Sequence, residues 1–235
     1  MRRISKRHRE NVAKVEAGKR YTLEEAVRLA LACRQAKFAE SVDVHVLLGV
    51  DPKKADQAVR GTVVLPHGTG KQMRVLVFCT GADAEAAKEA GADYVGLDDL
   101  VKRVQEGWTE FDIAIATPAT MREVGKLGKV LGPRGLMPTP KAGTVTTDVA
   151  TAVKEFKAGK VEFRVDKQAG IHCAVGKANF TCEQLLENIR AFLGALLKAK
   201  PATAKGTYLM KVSVSTTMGP GIRIDTRDVE REAAA

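Results

Sequence analysis

Aromatic side chains are scarce in this sequence: they make up 5% of its 235 residues and include a single tryptophan. This scarcity argues against RNA-binding domains that stack bases on paired aromatic rings. The four cysteines form no C-x-x-C pair and have mostly apolar neighbours, so we expect buried free thiols, as in a reducing cytoplasm. No run of about eighteen apolar residues occurs, so we expect no membrane span and no membrane partner.

Motifs for nucleotide binding are incomplete. A phosphate-binding loop, GxxxxGK[ST], would need a glycine in place of Leu65 and a hydroxyl residue in place of Gln72. A dinucleotide fingerprint needs its glycines directly after a strand, whereas Gly68-Thr69-Gly70 precedes the apolar run that begins at Val75. These glycines fit a hinge or turn, and we expect no cofactor.

The ionisable residues form no catalytic or metal-binding pattern either. The histidines are scattered, at His8, His45, His67 and His172. His172 and Cys173 are adjacent, so on a strand their side chains would point to opposite faces and form no dyad. We therefore predict that the protein is not an enzyme, has no catalytic residues and binds no metal.

Basic residues are abundant, and the formal net charge is +10 with an isoelectric point near 9.5. An excess of this size points to a polyanionic partner such as RNA, DNA or an anionic membrane, although a merely soluble basic protein has the same balance. The excess lies in residues 1–20 and 167–211, whereas acids outnumber bases in residues 81–112. A polyanion would therefore contact the two ends of the chain and avoid the middle.

Hydrophobic periodicity at both ends of the chain predicts antiparallel strands packed on helices. Helical patterns cover Arg3–Ala17, Thr22–Cys33 and Thr181–Lys198. A capping box of Thr22 and Glu25 begins the second of them. Strand patterns cover residues 42–48, 61–65, 161–165, 171–175, 208–215 and 222–224. We expect residues 230–235 to form a frayed tail.

The middle of the chain has a different character. Val75–Cys79 is a continuous apolar run, as in a strand covered on both faces. Helical and strand patterns then alternate, with a helix beginning at Pro118 and another over Asp148–Lys157. This alternation predicts a small parallel α/β layer inserted between the two antiparallel ends.

One glycine-rich stretch, Val124–Pro138, holds four glycines and two prolines together with basic residues and no acid. Glycine permits unusual backbone angles and proline forbids a helix interior, so we predict an irregular, cationic surface loop. Its apolar residues would pin it to a core, at Val124, Leu127, Val130, Leu131, Leu136 and Met137. An ordered loop without any chemistry has the same composition.

Two further segments have features of an RNA surface. Lys37-Phe38 lies between a helix and a strand, where side chains can stand on the surface or where Phe38 can close the edge of a core. Hydroxyls recur with a period of two at Ser213, Ser215 and Thr217, before the bare corner Met218–Gly221. Such a strand suits ribose hydroxyls and phosphates, although an ordinary polar edge strand has the same pattern.

The order of residues in four separate segments resembles the bacterial L-one family of large-subunit ribosomal proteins. The segments are GKLGKVLGPRGLMPTPK, SVSTTMGP, AKPATAKGTYL and KFAESVDVHVLLGVDPKKADQAVRGTVVLPHGTGK. The resemblance runs almost from end to end, as far as Ile224. It implies an α/β fold of two domains: an α+β first domain from residues 1–67 and 160–235, with an antiparallel sheet, and an inserted, Rossmann-like, three-layer α/β domain from residues 68–159. The joints would be hinges at Gly68, Gly70 and Gly159.

The resemblance also implies which residues bind RNA. The family's conserved RNA surface matches Lys37 and Phe38, Lys167 and His172 of the segment 166–172, and Ser215, Thr217, Met218 and Gly219. The glycine-rich loop would add a second contact through Lys129, Arg134 and Lys141. One departure concerns the turn Gln168-Ala169-Gly170, because the family usually has its glycine one residue earlier.

The function implied is that of a monomeric, cytoplasmic protein that joins the large ribosomal subunit. It would bind large-subunit rRNA at the mobile stalk, assist release of deacylated tRNA from the exit site and repress translation of its own mRNA. One alternative is an α/β enzyme that binds a nucleotide in the middle domain. Another is a DNA-binding repressor, for which no helix-turn-helix or zinc pattern is present.

Overall fold

The fold is known from a computed structural model that describes residues 5–16 and 18–234. It combines an antiparallel sheet, a parallel sheet and helices, which confirms the predicted α/β class. The chain divides into two compact units. The first unit comprises Met1–Gly70 and Val161–Ala235, and the second comprises Lys71–Lys160. Each unit has hydrophobic clusters of its own.

The elements of the described chain follow in sequence order. The strands are β1 (Ser41–Leu48), β2 (Arg60–Val64), β3 (Val75–Phe78), β4 (Tyr94–Gly96), β5 (Ile113–Ala116), β6 (Lys160–Arg164), β7 (Gly170–Lys177), β8 (Leu209–Thr216) and β9 (Ile222–Ile224). The helices are α1 (Lys6–Ala13), α2 (Leu23–Ala32), α3 (Ala82–Glu89), α4 (Asp98–Gln105), α5 (Met121–Val124), α6 (Gly128–Leu131), α7 (Val149–Ala158), α8 (Cys182–Lys198) and α9 (Thr226–Ala234).

The first unit is built on a four-stranded antiparallel sheet with the strand order β7-β1-β8-β9. Alternation along β1 buries Val42, Val44 and Val46 and leaves Asp43 and His45 partly exposed on the other face. Helices α2 and α8 pack on the buried face. The opposite face of the main sheet, here called the outer face, carries the polar side chains.

Helices α2 and α8 each begin with a capping box. Thr22 accepts a hydrogen bond from the Glu25 backbone N–H, and the Glu25 carboxylate accepts one from the Thr22 N–H, as the sequence predicts. Thr181 and Gln184 do the same for α8. The long helix α8 contributes large core side chains, among them Phe192, whose ring meets that of Phe163 edge to face. A pair of strands, β2 and β6, forms a second small sheet in this unit.

The second unit has three layers around a parallel sheet with the strand order β4-β3-β5. All four residues of the central strand β3 are buried, as expected for a strand covered on both faces. Val75 and Val77 pack with α3 and α7, whereas Leu76 and Phe78 pack with α4 and the short helices that follow β5.

The glycine-rich stretch differs from the predicted irregular loop in its first half. Residues 121–131 form consecutive short helical turns, and Val124, Leu127 and Leu131 are all fully buried. Their spacing of three and four residues puts these side chains on one helical face, which packs on the core and outweighs the weak helix preference of glycine. The last of these turns ends at Leu131, directly before Gly132-Pro133, and the segment that follows is irregular, as predicted.

The C-terminal segment is helical, so the predicted frayed tail is wrong for the residues that the structure describes. Helix α9 spans Thr226–Ala234 and packs against α8 and β8. Val229 is 1% exposed and joins the core of the first unit, which explains why the helix is ordered. Its first turn is supported by Asp225, whose carboxylate accepts a hydrogen bond from the Arg227 N–H.

Two predicted helix starts also move. The first helix spans Lys6–Ala13, so it is shorter than predicted, although Arg3 and Ala17 lie outside the described residues. The helix predicted from Pro118 begins only at Met121. The Thr120 hydroxyl donates to the Phe78 carbonyl at 2.9 Å, which holds the preceding residues in a turn.

All four cysteines are free thiols, as predicted. Cys33, Cys79 and Cys173 are buried, but Cys182 is only partly buried, because it occupies the first turn of α8. None of the described helices is long and apolar enough to cross a membrane.

Candidate nucleic-acid interface

The outer face of the main sheet carries a row of polar side chains across four strands. The strand register pairs His45 with His172 on one side and with Ser213 on the other, and it pairs Ser213 with Arg223. Residues directly opposite each other on antiparallel strands share a face. The row therefore presents imidazole, hydroxyl and guanidinium groups side by side, which suits a ribose and phosphate surface.

The two histidines of this row contact each other. Their Nδ1 atoms lie 2.8 Å apart, and the other ring nitrogen of His45, Nε2, lies 3.1 Å from the Ser215 hydroxyl. Burial, followed by repulsion from a charged His172, lowers the pKa of His45, while the nearby Asp43 carboxylate opposes that shift. Burial in turn raises the pKa of Asp43.

Asp166 shapes the turn that precedes β7 and displays Lys167. Its carboxylate accepts hydrogen bonds from the backbone N–H groups of Gln168 at 2.8 Å and Gly170 at 2.7 Å. These two bonds, the Gly170 bond first, lower the pKa of Asp166 and keep it charged. Ala169 has a left-handed backbone with φ of 63°, the position where the resembled family usually has glycine. Lys167, two residues before this alanine, is exposed.

Phe38 stands out from the surface instead of closing the core, since it is 56% exposed. The loop that carries it is fixed by Glu40, a buried carboxylate at the base of β1. Glu40 Oε1 accepts from the N–H groups of Gln35 at 3.2 Å and Ala36 at 3.0 Å. Burial works against the charge, but the backbone donors outweigh it and lower the pKa of Glu40.

The corner after β8 is tied to the same carboxylate. Glu40 Oε2 accepts from the Met218 N–H at 3.0 Å, and the Thr217 hydroxyl accepts from the Ser41 N–H at 2.9 Å. Met218 is 47% exposed, so its thioether side chain stands beside Gly219 on the surface. A Cβ atom added at Gly219 would lie 2.4 Å from the Thr216 hydroxyl oxygen, which explains why this corner needs glycine.

The strand register places the Phe38 loop and the corner after β8 at the Ser41 end of β1, whereas the Asp166 turn lies at the opposite end, beside Leu47. The outer face of the sheet connects these three segments. The sequence model of the ribosomal protein L1p/L10e family matches residues 29–220, which include all three segments. The chain belongs to the ribosomal protein L1p/L10e family. Membership follows from a match over most of the chain and from near full-length relatives at more than half identity.

Three relatives illustrate the similarity within the L1p/L10e family, and each is named large ribosomal subunit protein uL1. The protein of Protochlamydia amoebophila is 56% identical and covers 99% of both chains. That of Thioalkalivibrio sulfidiphilus is 60% identical over 96% of this chain and 97% of its own. That of Kosmotoga olearia is 54% identical over 97% and 99%. These names describe a ribosomal component and indicate no enzymatic activity.

The family resemblance assigned neither Glu40 nor His45 to the site, although the sequence holds a signal for each. Glu40 has an even number, like the buried valines of β1, so its side chain points to the interior. An acid at such a position indicates a carboxylate that accepts hydrogen bonds from groups inside the protein. His45 has an odd number, and the odd-numbered side chains of β1 lie on the outer face. Its meeting with His172 depends on the strand register, which periodicity alone does not give.

In the second unit, the three basic residues of the predicted contact loop are all exposed. Lys129 belongs to α6, Lys141 lies on the single helical turn Pro140–Ala142, and Arg134 donates a hydrogen bond to the Thr109 hydroxyl. The buried apolar residues beneath them hold the segment in place.

The predicted hinge glycines all have left-handed backbones, with φ of 65° at Gly68, 69° at Gly70 and 110° at Gly159. The first is held by Asn188, a fully buried residue of α8 that donates to the Gly68 carbonyl at 3.0 Å. Gly159 ends α7 directly before β6. Among the described residues no group of three or more His, Cys, Asp or Glu side chains is arranged to hold a metal ion.

Proposed function

We propose that this protein is a component of the large ribosomal subunit that binds large-subunit rRNA through its first unit. The RNA-binding residues lie in the Phe38 loop, in the Asp166 turn and strand β7 that follows it, and at the end of β8 with the corner after it. They are Lys37, Phe38, Lys167, His172, Ser215, Thr217, Met218 and Gly219. The observation that carries the proposal is the buried Glu40 carboxylate, which holds the first and the last of these segments together.

The arrangement fits a folded RNA better than unpaired bases. It offers hydroxyls, backbone and a few cations, and only one aromatic ring, Phe38, among the exposed large apolar side chains of the described residues. Such groups read ribose hydroxyls and phosphates, whereas base-stacking surfaces need several rings. The net charge of +10 supplies the long-range attraction for a polyanion.

We extend the proposal to the finer roles that the family resemblance implies. The protein acts as a monomer in the cytoplasm before it joins the ribosome. On the large subunit it contacts the exit-site tRNA, and the exposed Lys129, Arg134 and Lys141 of the second unit serve as RNA contacts. Away from the ribosome it represses translation of its own mRNA, which presents a similar RNA site. The joints at Gly68, Gly70 and Gly159 permit the two units to move.

The test is a binding measurement on fragments that tile large-subunit rRNA, with unrelated hairpins of equal length as controls. We expect one fragment to bind preferentially, with an affinity that falls linearly with salt on a log–log plot as bound phosphates release counterions. Equal affinity for every hairpin at moderate salt would show a diffuse charge interaction and contradict the proposed site. Crosslinking in cells, followed by sequencing of the bound RNA, tests the tRNA and mRNA roles separately.

A further inference from the structure

We propose that His45 is part of the RNA-binding face and that the His45–His172 pair takes up one proton when RNA binds. The inference rests on the proposed function, because the RNA phosphates supply the negative charge that favours the proton. It adds to the site a residue on the outer face of β1 that the family resemblance does not include.

The contact between the two rings sets the number of protons that the pair can hold. The Nδ1 atoms lie 2.8 Å apart, so one of them must carry a hydrogen and the other must accept it. A second added proton would place two N–H groups against each other and break the contact. The pair therefore holds either no charge or a single positive charge while its present geometry is kept.

Both of these states satisfy every ring nitrogen without any movement of the heavy atoms. His172 Nε2 lies 3.5 Å from Asp166 Oδ2, so the carboxylate favours a hydrogen on this nitrogen in both states. His45 Nε2 faces the Ser215 hydroxyl, which can donate to a bare nitrogen or accept from a protonated one. Proton uptake then requires only that the Ser215 hydroxyl rotates.

The charges around the pair oppose one another in the free protein. Acidic groups face it from its own strand at Asp43 and from the turn before β7 at Asp166. Basic groups lie on the same outer face or its margin, at Lys167, Lys177, Lys211 and Arg223. Burial lowers the pKa of His45, so its ring takes up a proton less readily in the free protein than when a phosphate group approaches.

Because a proton is taken up together with RNA, the affinity for RNA should change with pH in a defined direction. A group that binds more protons in the complex than in the free protein makes the affinity rise as the pH falls. Uptake of one proton limits the change to about tenfold per pH unit, and we expect about tenfold in total between about pH 8 and pH 6. Removal of His45 should flatten this dependence.

The experiment is calorimetric titration of the full chain with its preferred rRNA fragment, in two buffers of different ionisation enthalpy at the same pH. The wild-type protein should take up between about one half and one proton per complex near neutral pH. His45→Gln should take up almost none. His67→Gln is the matched control, because His67 is an exposed partner of Glu187 and lies off the outer face. The proton uptake of this variant should equal that of the wild type.

A second readout covers the case in which His45→Gln fails to fold. The NMR shifts of the His45 ring in the wild-type protein, free and bound to RNA, report its protonation directly, and they should move to the charged form or to an averaged shared state in the complex. Binding without proton uptake, or with uptake that His45→Gln leaves unchanged, overturns this inference alone. Absence of binding at every pH overturns the proposed function, and this inference with it.

Discussion

The Glu40 carboxylate accepts a hydrogen bond from the backbone N–H of Met218 over a distance of 3.0 Å, although 178 positions separate the two residues. Its second oxygen accepts from the loop that presents Phe38. A single buried charge thus sets the spacing between two parts of the proposed RNA surface. Rigid spacing of this kind is what recognition of a folded RNA by shape requires.

Glu40→Gln should destabilise the protein and weaken RNA binding, because the amide nitrogen would face a backbone donor where an acceptor is needed. The cost of one unsatisfied buried donor is about 1–3 kcal/mol. Chemical denaturation at neutral pH measures it, with the exposed Glu162→Gln as the control. If the two variants are equally stable, the Glu40 carboxylate does not hold the two segments in place.

The same carboxylate predicts how the difference changes with pH. Its folded-state pKa is lowered, so its stabilising contribution is complete above the unfolded-state value near 4.5 and is lost as the pH falls through the folded value. The gap between wild type and Glu40→Gln should therefore shrink below about pH 4. Denaturation curves at a series of acidic pH values test this, and a gap that widens on acidification would be inconsistent with it.

Ala169→Gly should stabilise the protein. A left-handed backbone costs a residue with a Cβ atom about 1–2 kcal/mol, and glycine avoids this cost. The greater conformational entropy of glycine in the unfolded chain offsets about half of the gain. We expect a gain of about 0.5–1 kcal/mol in the free energy of unfolding. The control Ala174→Gly, on the outer face of β7, should instead lose stability. A loss in both variants would mean that burial of the Ala169 methyl group outweighs the strain at φ of 63°.

Gly219→Ala should disturb the corner after β8, whereas Gly221→Ala should be tolerated. A Cβ at Gly219 meets the buried Thr216 side chain, but one at Gly221 meets nothing within 4 Å. We expect rRNA affinity to fall about tenfold or more for the first variant, equivalent to about 1.4 kcal/mol, and to change little for the second. Filter binding of both variants to the rRNA fragment measures this difference. Equal affinities would show that the corner accommodates a Cβ atom at Gly219.

Much of this architecture is predictable from sequence because local patterns determine it. The alternating valines of β1, the capping boxes of α2 and α8 and the apolar run of β3 each have one physical interpretation. The helical turns of residues 124–131, inside the glycine-rich stretch, and the helix α9 are not predictable in the same way. Both are stabilised by burial against distant elements, through Leu127 in one case and Val229 in the other, and such tertiary burial overrides local preference.

The same distinction between local sequence patterns and tertiary contacts applies to the candidate site. Its exposed residues lie at positions that the family resemblance identifies, but the contacts between them depend on strand register. His45 meets His172, and Glu40 reaches Met218, only because β1 lies between β7 and β8. Sequence spacing contains no information on that order when the segments are more than a hundred residues apart.

The second unit should be dispensable for the main rRNA affinity. The first unit has a continuous hydrophobic core of its own and carries all the residues of the outer face. Replacing Lys71–Lys160 by a short glycine linker should leave a folded protein that binds the same rRNA fragment. Circular dichroism checks the fold and a titration checks binding. Complete loss of binding by a folded variant would move the site to the second unit.

The most direct test of the central claim compares Thr217→Val, Met218→Ala and Lys6→Ala for binding to the preferred rRNA fragment at one salt concentration. Thr217→Val removes the oxygen that accepts the Ser41 N–H, and Met218→Ala removes an exposed apolar contact, whereas Lys6 is an exposed charge that its neighbours can replace. We predict that the first two variants each bind about tenfold or more weakly and that Lys6→Ala binds almost as the wild type does. If Lys6→Ala is the most damaging of the three, the interface is a diffuse field of charge and the proposed site is wrong.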